Sequence, residues 1–243
     1  MIGHGSRPAL CSQQYDQGHG HGTRFPEHRV ELFGSSSTST FKYSLSESSA
    51  IDFEFECRAH NKGLFGKHGY AVLFFADYMN DVEEIALHFR GVPESHAREQ
   101  WISAEAPPGH QDYNQGGTYQ SLAARALEYD TNHNFKLNVW SYDYPRFTQP
   151  FYYGRAAHGM TLILMFDRMY SAEDEIRFSL FKFKVPRHPR PAWDFQYVIH
   201  KVEEDRKYGF KGRLIWKKFV SPEDCEAEYH RWRRLLPTQS QER

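Results

Sequence analysis

The sequence predicts an all-β chain: an antiparallel β-sandwich of the concanavalin-like or jelly-roll kind, with one C-terminal α-helix. Three observations carry this. Apolar and polar residues alternate in short runs, turn residues separate the runs, and a helical period occurs only once, after Ser221. No strand–helix–strand rhythm and no internal repeat are visible, which disfavours doubly wound folds and propellers.

Taken in order, residues 1–28 are rich in Gly, His, Gln and Ser around Gly18-His-Gly-His-Gly22 and show no hydrophobic period, so they predict a flexible arm. Four histidines on such an arm make an unselective metal site; no metal and no cofactor are expected. The sandwich is expected over 29–220. Phe41–Leu45 alternates, and Ile51-Asp-Phe-Glu-Phe-Glu-Cys57 alternates without fault, with Asp52, Glu54 and Glu56 on the wet face. Tyr70–Ala76 is continuously apolar and predicts a strand buried on both sides. Ile85, Leu87 and Phe89 alternate with Ala86, His88 and Arg90, which turns the last two away from the core.

Between Gly91 and Tyr129 the pattern fails, and a long connection is expected there with a short helix near Leu122–Leu127. Strands follow around Phe135–Val139, Gly159–Asp167, Ile176–Phe183 and Trp193–Val202; a turn follows at Tyr208-Gly209, then a last strand over Leu214–Phe219. Ser221-Pro-Glu-Asp224 starts the helix, with Ser as N-cap and Pro at the first position. Cys225, Tyr229, Trp232 and Leu236 form its apolar stripe, and Pro237 ends it. Its span of 221–236 should clasp the sandwich, leaving 237–243 as a tail.

Composition narrows the partners. Thirty basic against 31 acidic residues in 243 leave a net charge of −1, so no global field favours nucleic acid or an anionic membrane. Cys11, Cys57 and Cys225 are odd in number and widely spaced, which fits a cytoplasmic chain better than a disulfide scaffold. No apolar run reaches membrane-spanning length. The glycine-rich dinucleotide and P-loop fingerprints are absent, as are the nucleophile elbow and the zinc-peptidase motif.

The candidate site residues come from Tyr144–Ile199, joined by Tyr78, His88, Arg90 and Trp101 from earlier in the chain. His158, Tyr152, His88 and Asp194 are the expected proton-transfer groups, because a His, Tyr or carboxylate in a hollow can move a proton at a sugar carbon or ring oxygen. Tyr78, Arg90, Tyr153, Arg155, Trp193 and Trp101 are the expected substrate contacts, since rings pack on apolar sugar faces and arginine forks bond oxygens. The arrangement requires the Tyr144–His158 segment and the Ile85–Arg90 strand to face one depression. Asp52, Glu54 and Glu56 offer carboxylates at hydrolase-like spacing, but the Glu-x-Asp-x-x-Glu pattern of laminarinase-like hydrolases is missing and a solvated face explains them.

Pro150-Phe-Tyr-Tyr-Gly-Arg155, Met165-Phe-Asp-Arg168, Pro191-Ala-Trp-Asp-Phe195 and Tyr208-Gly-Phe210, with Ser221-Pro-Glu-Asp224, resemble a recurrent order in bacterial all-β proteins of unassigned activity. At fold level the chain resembles the concanavalin-like and jelly-roll sandwiches that handle glycans, and more distantly the sugar mutarotases. That likeness implies a carbohydrate ligand: a glycan hydrolase or lyase, an epimerase-like enzyme, or a binding protein. An interaction scaffold with filled aromatics is the other reading.

Overall fold

The computed structural model describes residues 27–33, 37–105, 115–129, 143–168, 174–183 and 190–236. Its strands are β1 (Glu27–Phe33), β2 (Ser37–Glu47), β3 (Ala50–Ala59), β4 (Ala71–Phe75), β5 (Val82–Val92), β6 (Gln100–Ala104) and β7 (Gln115–Tyr119). After them come β8 (Arg146–Phe147), β9 (Phe151–Ala156), β10 (Met160–Arg168), β11 (Asp174–Phe183), β12 (Arg190–Ile199) and β13 (Lys207–Lys218), then helix α1 (Pro222–Leu235). A nine-stranded sheet runs β1-β2-β3-β13-β10-β9-β5-β6, with β8 joined to β5, and a four-stranded sheet runs β4-β12-β11-β7. Every paired strand is antiparallel, and the two sheets form the expected sandwich.

Alternation decides which faces meet. Phe53 and Phe55 of β3, Leu87 and Phe89 of β5, and Trp193, Phe195 and Tyr197 of β12 all enter the core between the sheets. Aromatic rings interlock there: Phe166 of the large sheet lies 4.6 Å from Phe195 of the small one, and Phe147 stacks on Phe178 at 3.9 Å. The wet side of β3 is neutralised, because the Arg213 guanidinium bonds both oxygens of Asp52, at 2.7 and 2.9 Å, and Lys211 is the register partner of Glu54.

Helix α1 makes a third layer on the outer face of the large sheet. Ser221 caps it by accepting from the Asp224 amide at 3.2 Å. Cys225, Tyr229 and Trp232 are buried against Phe151, Tyr153, Ile163 and Met165, so the 3.6-residue stripe in the sequence meets the alternate, outward residues of β9 and β10.

Four expectations change. β4 is an edge strand, half-buried along its length, because only β12 pairs with it. Tyr208 and Gly209 lie inside β13, whose hydrogen-bonded ladder carries the chain through them. The Gly91–Tyr129 connection holds two strands, β6 and β7, and Leu122–Leu127 is irregular chain with no helix. The arm expected over 1–28 gives way to β1 at Glu27, and its residues 1–26, the Phe135–Val139 strand and the 237–243 tail lie outside the described residues.

Candidate functional site

The sequence-derived candidates separate onto different layers. Consecutive residues of a strand point to opposite faces, so Tyr152 and Tyr153 part company. Tyr152 enters the inter-sheet core and donates to the Trp193 carbonyl at 2.7 Å, while burial pushes its phenol well up. Trp193 lies in that same core, fully buried, with its indole N–H donating to the Ile85 carbonyl at 2.8 Å. Neither meets solvent, so both are packing residues.

Tyr153 emerges on the outer face, where it does meet the β5 residues. His88 is its register partner and stacks on it at 4.7 Å. The pair is roofed: Phe219 lies 5.7 Å from the Tyr153 ring and Tyr153 is 3% exposed. Burial lowers the His88 pKa, opposed by Glu84, whose carboxylate sits 2.9 Å from Nε2. Arg90 lies over Trp101 and pairs with Glu99, and Arg155 lies over Phe219 and pairs with Glu83. The two segments share a face as required, but that face is filled by its own side chains and by α1.

The other three stand apart. His158 is exposed at the β9–β10 turn with φ 63°, Tyr78 is exposed at a sheet edge 5.5 Å from Phe183, and Asp194 points to the outer face of the small sheet. There Asp194 accepts from the Asp77 amide at 2.7 Å; burial and the neighbouring Asp77 carboxylate push its pKa up to about 7.

A concavity lies elsewhere. β7 pairs with β11 only over Phe178–Lys182, so the first residues of β11 are released from a neighbour on that side. Beside them opens a cleft of about 430 Å3, within the size range of small-molecule sites. The chain at 121–125 and at Phe147–Pro150 forms one wall; the end of β10, the start of β11 and His200 form the other, and Tyr229 and Arg233 of α1 close it.

Three arginines and three carboxylates line this cleft: Arg125, Arg168 and Arg233 against Asp167, Asp174 and Glu175. Arg233 and Asp167 form an ion pair across its mouth. Asp174 is buried on the core side of β11, where the Tyr197 hydroxyl donates to its Oδ2. Arg168 Nη1 donates to the Asp174 backbone carbonyl at 2.7 Å and stands 3.9 Å from Oδ1. Desolvation outweighs these contacts and pushes the Asp174 carboxyl up to about 6. Glu175 leaves the opposite side of the strand: its Oε1 takes the Arg177 guanidinium at 2.7 Å from Nε and His200 Nε2 at 3.2 Å. Asp174 Oδ1 and Glu175 Oε2 are buried and have no hydrogen-bond partner among the described residues.

Among the described residues lining this cleft, the rings are already covered by other rings. The Tyr229 ring is stacked on Phe151 at 4.9 Å and Phe147 is covered by Phe178, so recognition here falls to hydrogen bonds. Among the described residues, no group of three or more His, Cys, Asp or Glu could hold a metal ion, and no helix is long and apolar enough to cross a membrane.

The apolar alternation in the sequence starts at Ile176 and so leaves out Asp174 and Glu175. A signal was available. In Asp174-Glu-Ile-Arg-Phe-Ser-Leu180 the outward positions are Glu175, Arg177 and Ser179, all polar between the apolar Ile176, Phe178 and Leu180, and all three are buried. Buried polar residues on a strand face that would ordinarily be either wet or apolar point to something beyond packing. No protein-family model, no curated protein and no solved structure matches this chain.

Proposed function

We propose that this protein binds a carbohydrate, and that the ligand sits in the cleft beside Asp174, Glu175 and His200 rather than over the Tyr152–His158 segment. One observation carries the reading: planar guanidinium donors and carboxylate acceptors line a single small-molecule-sized cleft in equal number. A free phosphate or a nucleotide calls for a positive excess. A polyhydroxylated neutral ligand calls for closely set donors and acceptors, because each sugar hydroxyl both gives and takes a hydrogen bond. Oxygens left unpartnered at Asp174 and Glu175 supply acceptors already stripped of water.

A glycan array of neutral and uronic-acid-containing oligosaccharides, followed by calorimetric titration of the hits, tests this. Binding of neutral glycans that weakens at least tenfold in His200→Ala and is unchanged in His158→Ala supports the cleft. Binding that depends on His158 and not on His200 rejects it. A preference for acidic glycans would assign the arginines a net electrostatic role and favour the lyase reading of the fold-level resemblance.

A further inference from the structure

We infer that Thr38, His60 and Asp205 form a nucleophile, a base and an orienting carboxylate that hydrolyse a carboxylic ester through an acyl-threonine. None of the three lines the cleft, so this activity does not depend on the carbohydrate reading.

Three chain segments meet at one end of the large sheet to assemble the group. Thr38 lies at the start of β2, His60 directly follows β3, and Asp205 lies in the turn before β13. β2 and β13 are the two neighbours of β3. At this end the register pairs Ser37 with Ala59 and Lys207 with Arg58. A residue one step past β3 therefore stands between the start of β2 and the turn that feeds β13.

Thr38 Oγ1 lies 3.3 Å from His60 Nε2, and His60 Nδ1 lies 2.9 Å from Asp205 Oδ1. A hydroxyl within reach of a base, with that base oriented by a third group, is the arrangement that turns a hydroxyl into a nucleophile. An ionised carboxylate only accepts, so Nδ1 of the neutral ring carries the proton and Nε2 offers its lone pair to the threonine hydroxyl. Asp205 is itself anchored: its φ is 60°, a left-handed conformation that a short Asp side chain tolerates, and its amide donates to the Ala59 carbonyl at 2.7 Å.

Charge and exposure set the substrate class. Arg58 is the register partner of Thr38, and Lys207 that of Arg58, so both cations leave the same outer face as the threonine, with neighbouring Cβ atoms about 4.5–5.5 Å apart. Positive charge there favours the oxyanion that forms when Thr38 adds to a carbonyl. The side chains of His60 and Asp205 are 39% and 66% exposed, and charge stabilisation in water is weaker than in an enclosed site. A carboxylic ester, whose alcohol departs readily, lies within that range and an amide does not. Open approach suits an ester carried on a larger molecule.

The reaction balances with water as the sole co-reactant. Thr38 Oγ1 bonds to the ester carbonyl carbon, its proton passes to His60 Nε2, and the carbonyl electron pair moves onto oxygen. That pair returns, the bond to the alcohol oxygen breaks, and the leaving oxygen takes the proton from His60. Water then gives a proton to His60 and bonds to the acyl carbon. The threonine oxygen departs with that proton, leaving free acid and the original hydroxyl.

The test follows hydrolysis of para-nitrophenyl acetate by the full chain and looks for an acetylated Thr38 peptide by mass spectrometry after rapid quenching. Turnover and the acetyl-Thr38 adduct are expected. Thr38→Val and His60→Ala should each lower kcat by about 10²–10⁴-fold, whereas Thr38→Ser, which keeps a hydroxyl, should keep turning over. Asp205 is a positioning residue, so Asp205→Asn should lower kcat by about tenfold or more with KM unchanged. His158→Ala removes a different exposed imidazole and should leave turnover as it is. Melting temperatures check that each variant is folded, and the adduct in the wild-type chain tests the nucleophile without any substitution. No hydrolysis above the buffer blank, no adduct on Thr38, or equal rates for the wild type and Thr38→Val would overturn the inference and leave the three residues as a tie between strand ends.

Discussion

Glu175 Oε1 accepts from Arg177 two residues along the same strand and lies 3.2 Å from His200 at the end of the neighbouring one. The three side chains tie the start of β11 to the end of β12 on a face that β7 does not reach. Arg177 is 1% exposed and Glu175 6%, so neither charge is tolerable without the other.

Removing the guanidinium should therefore be costly. Arg177→Met keeps much of the side-chain length and leaves His200 as the partner of the buried Glu175 carboxylate among the described residues, which should destabilise the fold by about 3–5 kcal/mol. Urea denaturation followed by far-ultraviolet circular dichroism measures it. The double variant Arg177→Met, Glu175→Leu should recover a large part of the loss, since an apolar pair leaves no charge to desolvate.

A second prediction concerns pH. In the folded chain the Asp194 carboxyl titrates at about 7, against an ordinary value of 3.8. Between those limits the folded state holds a proton that the unfolded state has released, so stability falls as pH rises. The contribution is complete below the ordinary value and is lost as pH passes through about 7. Asp194→Asn can keep the Oδ1 acceptor for the Asp77 amide and does not titrate. Between pH 5 and pH 8 it should gain on the wild type by on the order of 2 kcal/mol, read from thermal melts at the two pH values. A parallel response of the two proteins would contradict the assignment.

Gly154 sits where β9 passes under Trp193. A methyl at its α-carbon would lie 2.6 Å from three carbons of the indole, far inside contact distance. Gly154→Ala should cost about 1–3 kcal/mol through overpacking and shift the Trp193 fluorescence, with the melting temperature falling by roughly 2–10 °C for a chain of this size.

Tyr152 separates the packing account from the sequence-based one. Its hydroxyl bonds backbone carbonyls of β12 inside the core. Tyr152→Phe should lose about 1–2 kcal/mol of stability from unsatisfied carbonyls and leave glycan affinity unchanged. A catalytic or ligand-contacting tyrosine would show the reverse.

The fold was legible because its signals are local. Ile51 to Cys57 alternates every second residue, and Cys225, Tyr229 and Trp232 recur at helical spacing, so burial follows from period alone. β4 misled because an apolar edge strand reads like a central one; which strand pairs beside it is a long-range matter. The Tyr208-Gly209 turn misled for a related reason: a glycine in a strand signals a turn unless the partner strand, here β3, holds it in register.

The site was less legible. The Tyr144–His158 and Ile85–Arg90 segments do adjoin through His88 and Tyr153, as alternation required, but sequence carries no sign that α1 and Phe219 fill the space above them. The cleft draws on the end of β10, the start of β11, His200, two connections and one turn of α1. No sequence window contains those parts together. Only the charged residues inside an apolar strand, Glu175 and Arg177, marked the place.

The most direct test is a crystal structure of the protein with the tightest-binding oligosaccharide from the array. The account predicts sugar density between Asp174 and His200, with hydroxyls on Asp174 Oδ1 and Glu175 Oε2. Density over His158 and Arg155, with the β11 cleft holding only water, would contradict it.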